Sequence, residues 1–238
     1  PVVAQVAAVA LMLDYIVTVA IQSAAGVAAI ISTFPSLHPY KIPMILVVIV
    51  LLTYGNLRGV KEAGKAFALP TYFFVSCMFI VFSVGLYKQF NGTLIQLSVE
   101  QPGAVEIGQE QGLLTFAAIF ILLRAFANGG SSLTGLEAIS DGVALFKTPE
   151  HVNARRTLYI MSTLLGTLVL GVSWFAHKIH AVPYESGTPT VISQIAKTIM
   201  GDGVVGSVMF VMVQLATMLI LFAGANTTYS AFPILVNF

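Results

Sequence analysis

Asp14, Thr18 and Gln22 recur every fourth residue in an otherwise apolar run, with Tyr15 beside Asp14. This spacing stacks a carboxylate, a hydroxyl and an amide on one helix face, which is expected to look into protein or water. The competing reading is that the groups only hydrogen-bond neighbouring helices. A second concentration is Asn128-Gly129-Gly130-Ser131-Ser132-Leu133-Thr134-Gly135, followed by Glu137 and Asp141 one turn apart. Glycine costs up to ~1 kcal/mol per residue in a helix interior, so the helix is expected to break near 128–135. A break at membrane depth leaves free carbonyls on one side and free amides on the other, the makings of an ion or substrate site. A small-residue packing face is the alternative. Arg124, one turn before the break, is expected to pair with Asp14 or Glu137. Thr227 and Thr228, in Ala225–Pro233, form a candidate second ion site, although hydroxyls at a helix end also bond their own carbonyls.

The elements that must carry these groups follow from composition. Of 238 residues, 57% are apolar and 9% are charged, far from the ~25% charge of a soluble domain. A soluble enzyme is excluded, and no enzyme activity is expected. With 11 Lys+Arg against 10 Asp+Glu there is no basic surface for nucleic acid. The class expected is an all-α, polytopic membrane protein forming a single transmembrane domain in the plasma membrane. A bilayer core needs about 20 apolar residues per helix. Six stretches qualify, at about 2–32, 42–57, 67–88, 113–145, 157–179 and 203–235, the fourth broken as described. Arg58, Lys61 and Lys65 fall in one loop and Lys147, Arg155 and Arg156 in another. The excess of basic residues marks the loops 58–65 and 147–156 as cytoplasmic. Thr190–Met200 is expected to be a short amphipathic helix at the interface. Both ends of the chain fall within apolar patterning, and a longer parent protein is expected.

Several features carry less. His177 and His180 stand three apart at a span end, with no Cys or second His pair to complete a metal site. No metal is expected beyond a transported cation. The phosphate-binding Gly-x-x-x-x-Gly-Lys-[Ser/Thr] loop is absent, so an ion gradient rather than ATP is the expected energy source, and no cofactor is called for.

Four stretches resemble the amino acid, polyamine and organocation (APC) permease superfamily. Leu13–Ala28 resembles its third helix and Asn56–Gly64 the loop between its fourth and fifth. Thr134-Gly135-Leu136-Glu137 resembles its broken sixth helix, and Ala225–Pro233 its eighth. The resemblance implies helices three to eight of a LeuT-like inverted-repeat fold working by alternating access. Within the superfamily, Leu123–Val143 resembles the potassium importers of the KimA type. Amino-acid permeases usually place aromatics where this chain has Ser131, Ser132 and Leu133. By that resemblance Asp14, Tyr15, Thr18, Thr134 and Glu137 bind the cation or couple to the proton. Ser131 and Ser132 add hydroxyl oxygens of the kind that replace potassium's water shell. Asp14 and Glu137 are the proton-coupling candidates.

The function expected is proton-coupled potassium import. The first alternative is a proton- or sodium-coupled amino-acid permease on the same architecture. The other is a membrane sensor or structural subunit that transports nothing. The expected partners are potassium or an amino acid, the proton and lipid, with a second copy of the chain as a candidate partner.

Overall fold

The computed structural model describes residues 2–58, 64–98, 101–105, 116–130, 143 and 146–236. The chain divides into two compact units, one of Pro1–Val105 with Phe175–Phe238, the other Glu106–Trp174. Among the described residues there is no strand, and Ala104 and Tyr184 form an isolated antiparallel bridge.

Helix α1 spans Val2–Thr33, a run without proline that ends where Phe34-Pro35 begins a 3₁₀ turn, Pro35–Tyr40. Helix α2, Lys41–Leu57, follows directly. The turn and α2 together make an apolar stretch of 23 residues, which explains how a span that reads as short reaches the ~20 residues a bilayer requires. Helix α3 is Gly64–Phe90, with Pro70 near its start. Helix α4 is Phe116–Gly130 and α5 is Glu150–Ile179, with Glu150 in its first turn and Lys178 in its last, as the helix dipole favours. Helix α6 is Val191–Met200, opened by Thr190, whose side chain accepts from the Ser193 amide. Helix α7 is Val204–Val236.

Five described helical stretches are long and apolar enough to cross a membrane, whereas the described part of α4 is a shorter apolar helix. The break expected from Asn128 does not start there: α4 stays helical through Asn128, Gly129 and Gly130. The remainder of that expectation, Ser131, Ser132, Thr134, Glu137 and Asp141, lies outside the described residues.

In the first unit α1 packs on α7. The contacts run in opposite order along the two helices, Gly26 against Phe222 and Gln22 against Gly224, so the pair is antiparallel. A Cβ at Gly26 would overlap the Phe222 ring, so glycine is what lets the two backbones approach. Val27, Ala29, Val213 and Ala216 are fully buried along this seam and its flanks. Helix α6 packs against α3 and α7, burying Ile195, Ala196 and Ile199. Its apolar stripe therefore faces protein. Phe175 closes the core, its ring stacked on Phe82 at 5.4 Å and lying over Gly85.

The outside of the unit is as apolar as its inside. Helix α2 has no buried residue, and Ile42, Leu46, Val47, Val50 and Leu51 are all more than half exposed. Water would penalise such a surface; hydrocarbon does not.

Three connecting segments meet at one end of this unit. The Leu97 amide donates to Ile179 O at 2.8 Å, Val105 N to Pro183 O at 2.9 Å and Thr190 N to Ser32 Oγ at 3.2 Å. Lys41 Nζ donates to Ser186 O at 2.6 Å. Gly187, at φ 74°, completes that turn, and a Cβ there would stand 3.3 Å from the ammonium. Gln194 braces the same loop, accepting from Val182 N and donating to Val182 O and Pro189 O. Asp202 pairs with Lys197 at 2.7 Å, and this hydrogen bond and charge hold its carboxyl below the ordinary value. That contribution is present at neutral pH and is lost as pH falls through the lowered value.

In the second unit, Asn153 Nδ2 donates to Lys147 O at 2.8 Å and fastens the start of α5 to the preceding turn.

The packing at Gly85 predicts that Gly85→Ala destabilises the protein by about 1–3 kcal/mol, the usual cost of overfilling a core. The new Cβ would overlap the Phe175 ring and approach Ile199 Cδ1 to 2.8 Å. Thermal unfolding of the purified protein in detergent measures this, and an unchanged Tm would contradict the close fit.

Candidate functional site

Of the polar groups of α1, Gln22 lies against Gly224 of α7 and Tyr15 lines a cavity with Thr228 and Tyr229 of α7. Val19 is buried, while Asp14, Tyr15, Thr18 and Gln22 are half-buried on the flanks of the same face. Leu13, Ile16, Val17 and Ile21 point outward, each more than half exposed. The four-residue spacing thus produces the polar stripe expected of it.

A cavity of about 270 Å3 opens between α1, α2 and α7, lined by Tyr15, Val19, Ile49, Thr228 and Tyr229, with Ile16 and Ala20. It brings Tyr15 from the first candidate set together with Thr228 from the second. Asp14 and Thr18 are not among its lining residues. Arg124 is exposed in the second unit. Of its two expected partners, Asp14 belongs to the first unit and Glu137 lies outside the described residues.

The hydroxyls around the cavity are oriented by their hydrogens. Thr228 Oγ1 donates to Gly224 O at 3.1 Å and Thr227 Oγ1 to Ala223 O at 3.0 Å, each one turn back on α7. Such back-bonding is the alternative that the sequence raised for these residues. It spends the one hydrogen and leaves oxygen lone pairs turned away from the helix. Thr227 is exposed, and of the two only Thr228 is among the residues that line the cavity.

Two interhelical links fix α2 on α7 beside the cavity. Thr53 Oγ1 donates to Ile49 O at 2.8 Å, which uses its hydrogen. In the 2.6 Å contact between Thr53 Oγ1 and Tyr229 Oη the phenol is therefore the donor. Asn56 Nδ2 donates both to Leu52 O at 2.9 Å and to Asn226 Oδ1 at 2.7 Å. The Arg58 guanidinium sits 4.5 Å from the Tyr54 ring centroid at the end of α2, a cation–π contact. The chemistry this arrangement supports is coordination by neutral oxygens in a mostly apolar surround.

Thr53, Asn56, Asn226 and Tyr229 were not among the candidate site residues, nor was Gln214, 2% exposed with neither amide atom partnered among the described residues. The available signal was each polar side chain's place inside an apolar run. Nothing in spacing along one helix states which residue of another helix it meets.

Two comparisons bear on the chain. No family model matches it. It is similar to the potassium transporter KimA of Bacillus subtilis, with 38% identity over 224 residues, 94% of this chain. The chain spans about a third of that relative's length, 35%. This likeness and the apolar helices make it a multi-pass protein of the cell membrane.

The Thr53–Tyr229 link predicts a double-mutant cycle. Combining Thr53→Val with Tyr229→Phe should give a coupling of about 0.6 kcal/mol, and at most about 1.7, as measured for hydrogen bonds between membrane helices. Unfolding free energies of the four proteins test it, and strict additivity would remove the link.

Proposed function

We propose that this chain, a KimA-like permease segment along nearly its whole length, comes from a transporter that imports potassium across the cell membrane. The observation that carries the reading is the 38% identity to a potassium transporter over 94% of the chain. Two hydroxyl-bearing residues, Tyr15 and Thr228, line one cavity, which supports it. Potassium is large and weakly hydrated, and such oxygens can replace its water shell.

Asp14, Tyr15 and Thr18 on α1, with Ser131, Ser132, Thr134 and Glu137, are the residues we assign to cation binding. Asp14 and Glu137 are assigned to proton coupling, because a carboxyl in low dielectric is able to carry a proton. The proton gradient supplies the energy. The LeuT-like inverted repeat, completed by further helices of the whole protein, supplies alternating access. The loops 58–65 and 147–156 face the cytoplasm on the strength of their basic residues. With that polarity the segments near 33–41, 89–105 and 178–202 share the outer side, and their mutual hydrogen bonds support placing them together.

The experiment is rubidium uptake by cells that lack other potassium importers and express the complete protein, beside a panel of labelled amino acids. Wild type is expected to accumulate rubidium and none of the amino acids. Tyr15→Phe removes one oxygen from the cavity and is expected to raise the KM for rubidium about tenfold, the equivalent of ~1.4 kcal/mol. Glu137→Gln and Asp14→Asn are expected to abolish accumulation against the gradient. If both carboxyl variants still concentrate rubidium with unaltered pH dependence, the coupling assignment fails.

A further inference from the structure

Helix α5 has 30 residues, about 45 Å of helix, which is roughly 15 Å more than a hydrocarbon core. The sequence shows which part is in excess. Residues 157–176 are twenty in a row without a Lys, Arg, His, Asp or Glu, and a helix of about that length crosses the ~30 Å of the core. Arg155 and Arg156 stand immediately before that run, at the level of the headgroups.

Among the residues of α5 only Ala154, Phe175 and Ile179 are buried. Arg155 and Arg156 are exposed, as is Lys147, and none of the three has an ion-pair partner among the described residues. Asn153 Nδ2 ties the Lys147 carbonyl to the first turn of α5, which keeps this third cation at the same end of the helix. Glu150 is the one acidic residue between Lys147 and Arg156. Tyr159, 68% exposed, follows Arg155 by four residues and Arg156 by three, the two spacings that make side chains neighbours on a helix surface. Its Cα–Cβ bond tilts toward the helix N-terminus, so the ring leans to the turn that carries the arginines. At about 100° per residue all three lie on the side of the helix away from buried Ala154.

Position and chemistry select the occupant. An arginine fork matches two phosphate oxygens at once. Basic side chains beside a spanning helix attract anionic lipid, and tyrosine suits the boundary, with its ring in hydrocarbon and its hydroxyl among headgroups. A second protein helix packed here would have to bring carboxylates to the same level, whereas a lipid already carries its phosphate there.

We propose that Arg155, Arg156 and Tyr159, with Lys147 adjoining, hold the headgroup phosphate of an anionic phospholipid. The site is independent of which solute the whole protein carries.

The test is native mass spectrometry of the complete protein released from detergent micelles doped with phosphatidylglycerol or with phosphatidylcholine. Wild type is expected to retain phosphatidylglycerol in preference to phosphatidylcholine. Arg155→Gln and Arg156→Gln are each expected to weaken the tightest phosphatidylglycerol binding about fivefold, the equivalent of ~1 kcal/mol for one basic residue at a membrane surface. Thermal unfolding gives a second measurement. Both arginines are exposed, so neither variant is expected to alter the Tm in phosphatidylcholine nanodiscs, whereas the rise in Tm that phosphatidylglycerol gives wild type should be lost. Equal retention of the two lipids by wild type, or unchanged phosphatidylglycerol binding when both arginines are replaced by glutamine, overturns the site. Displacement of the lipid by millimolar inorganic phosphate marks a free-anion site and overturns it as well.

Discussion

Hydrocarbon offers no hydrogen-bond partner, and this one property of the solvent constrains how the polar side chains in the long helices are disposed. Backbone groups are met by helix formation itself. Side chains are met in two further ways. Short hydroxyls turn back on their own helix, as Ser32, Thr53, Ser83, Thr217, Thr227 and Thr228 all do at 2.7–3.1 Å. Longer ones reach across, as Asn56 does to Asn226 and Tyr229 to Thr53. A hydroxyl that has turned back still carries lone pairs, so satisfying the helix and equipping a cation site are compatible at Thr228 and at Thr53.

Because lipid tails are as apolar as leucine, helices in a membrane gain little from burying apolar surface against one another and must associate through close packing. Gly26 and Gly224 provide it on the α1–α7 seam, and Gly85 provides it where Phe175 and Ile199 meet α3. The consequence is a seam tight enough to exclude solvent from Ser23 and from Gln22 Oε1. Helix α2 is the opposite case. It buries no residue and is held by polar ties near its ends, Lys41 to Ser186 O at one and Thr53 and Asn56 to α7 at the other, with Ile49 over the cavity between them.

Much of this was legible in the sequence because it depends on one helix at a time. Apolar run length placed α1, α2, α3, α5 and α7 near their observed bounds. The Asp14-Thr18-Gln22 spacing marked the half-buried face of α1, and the amphipathic pattern of Thr190–Met200 marked α6. The direction in which α6 faces was not legible, since an amphipathic pattern is the same whether its apolar side meets lipid or protein. The links Thr53–Tyr229, Asn56–Asn226 and Lys41–Ser186 O were hidden for a related reason: they join residues between 145 and 176 apart, and no periodicity encodes which helix lies opposite. At the candidate site, Tyr15 and Thr228 were each singled out by residue type, but their sharing one cavity is a property of the antiparallel packing alone.

If the cavity takes the cation of the proposed function, the balance of polar and apolar wall limits what it would do for it. Of the lining residues Tyr15, Thr228 and Tyr229 carry hydroxyls, while Val19, Ala20, Ile16 and Ile49 carry only hydrocarbon. Three neutral hydroxyls would be too few for the whole water shell of a potassium ion and could take over only part of it. On the proposed reading, a partly dehydrated ion there would be held weakly enough to leave when access alternates. An oxygen-rich cage made of carboxylates alone would hold the ion and stall it. Under the proposed potassium import, a neutral, mostly apolar cavity of this kind would pass a cation on, and the charge that neutralises the ion would come from elsewhere.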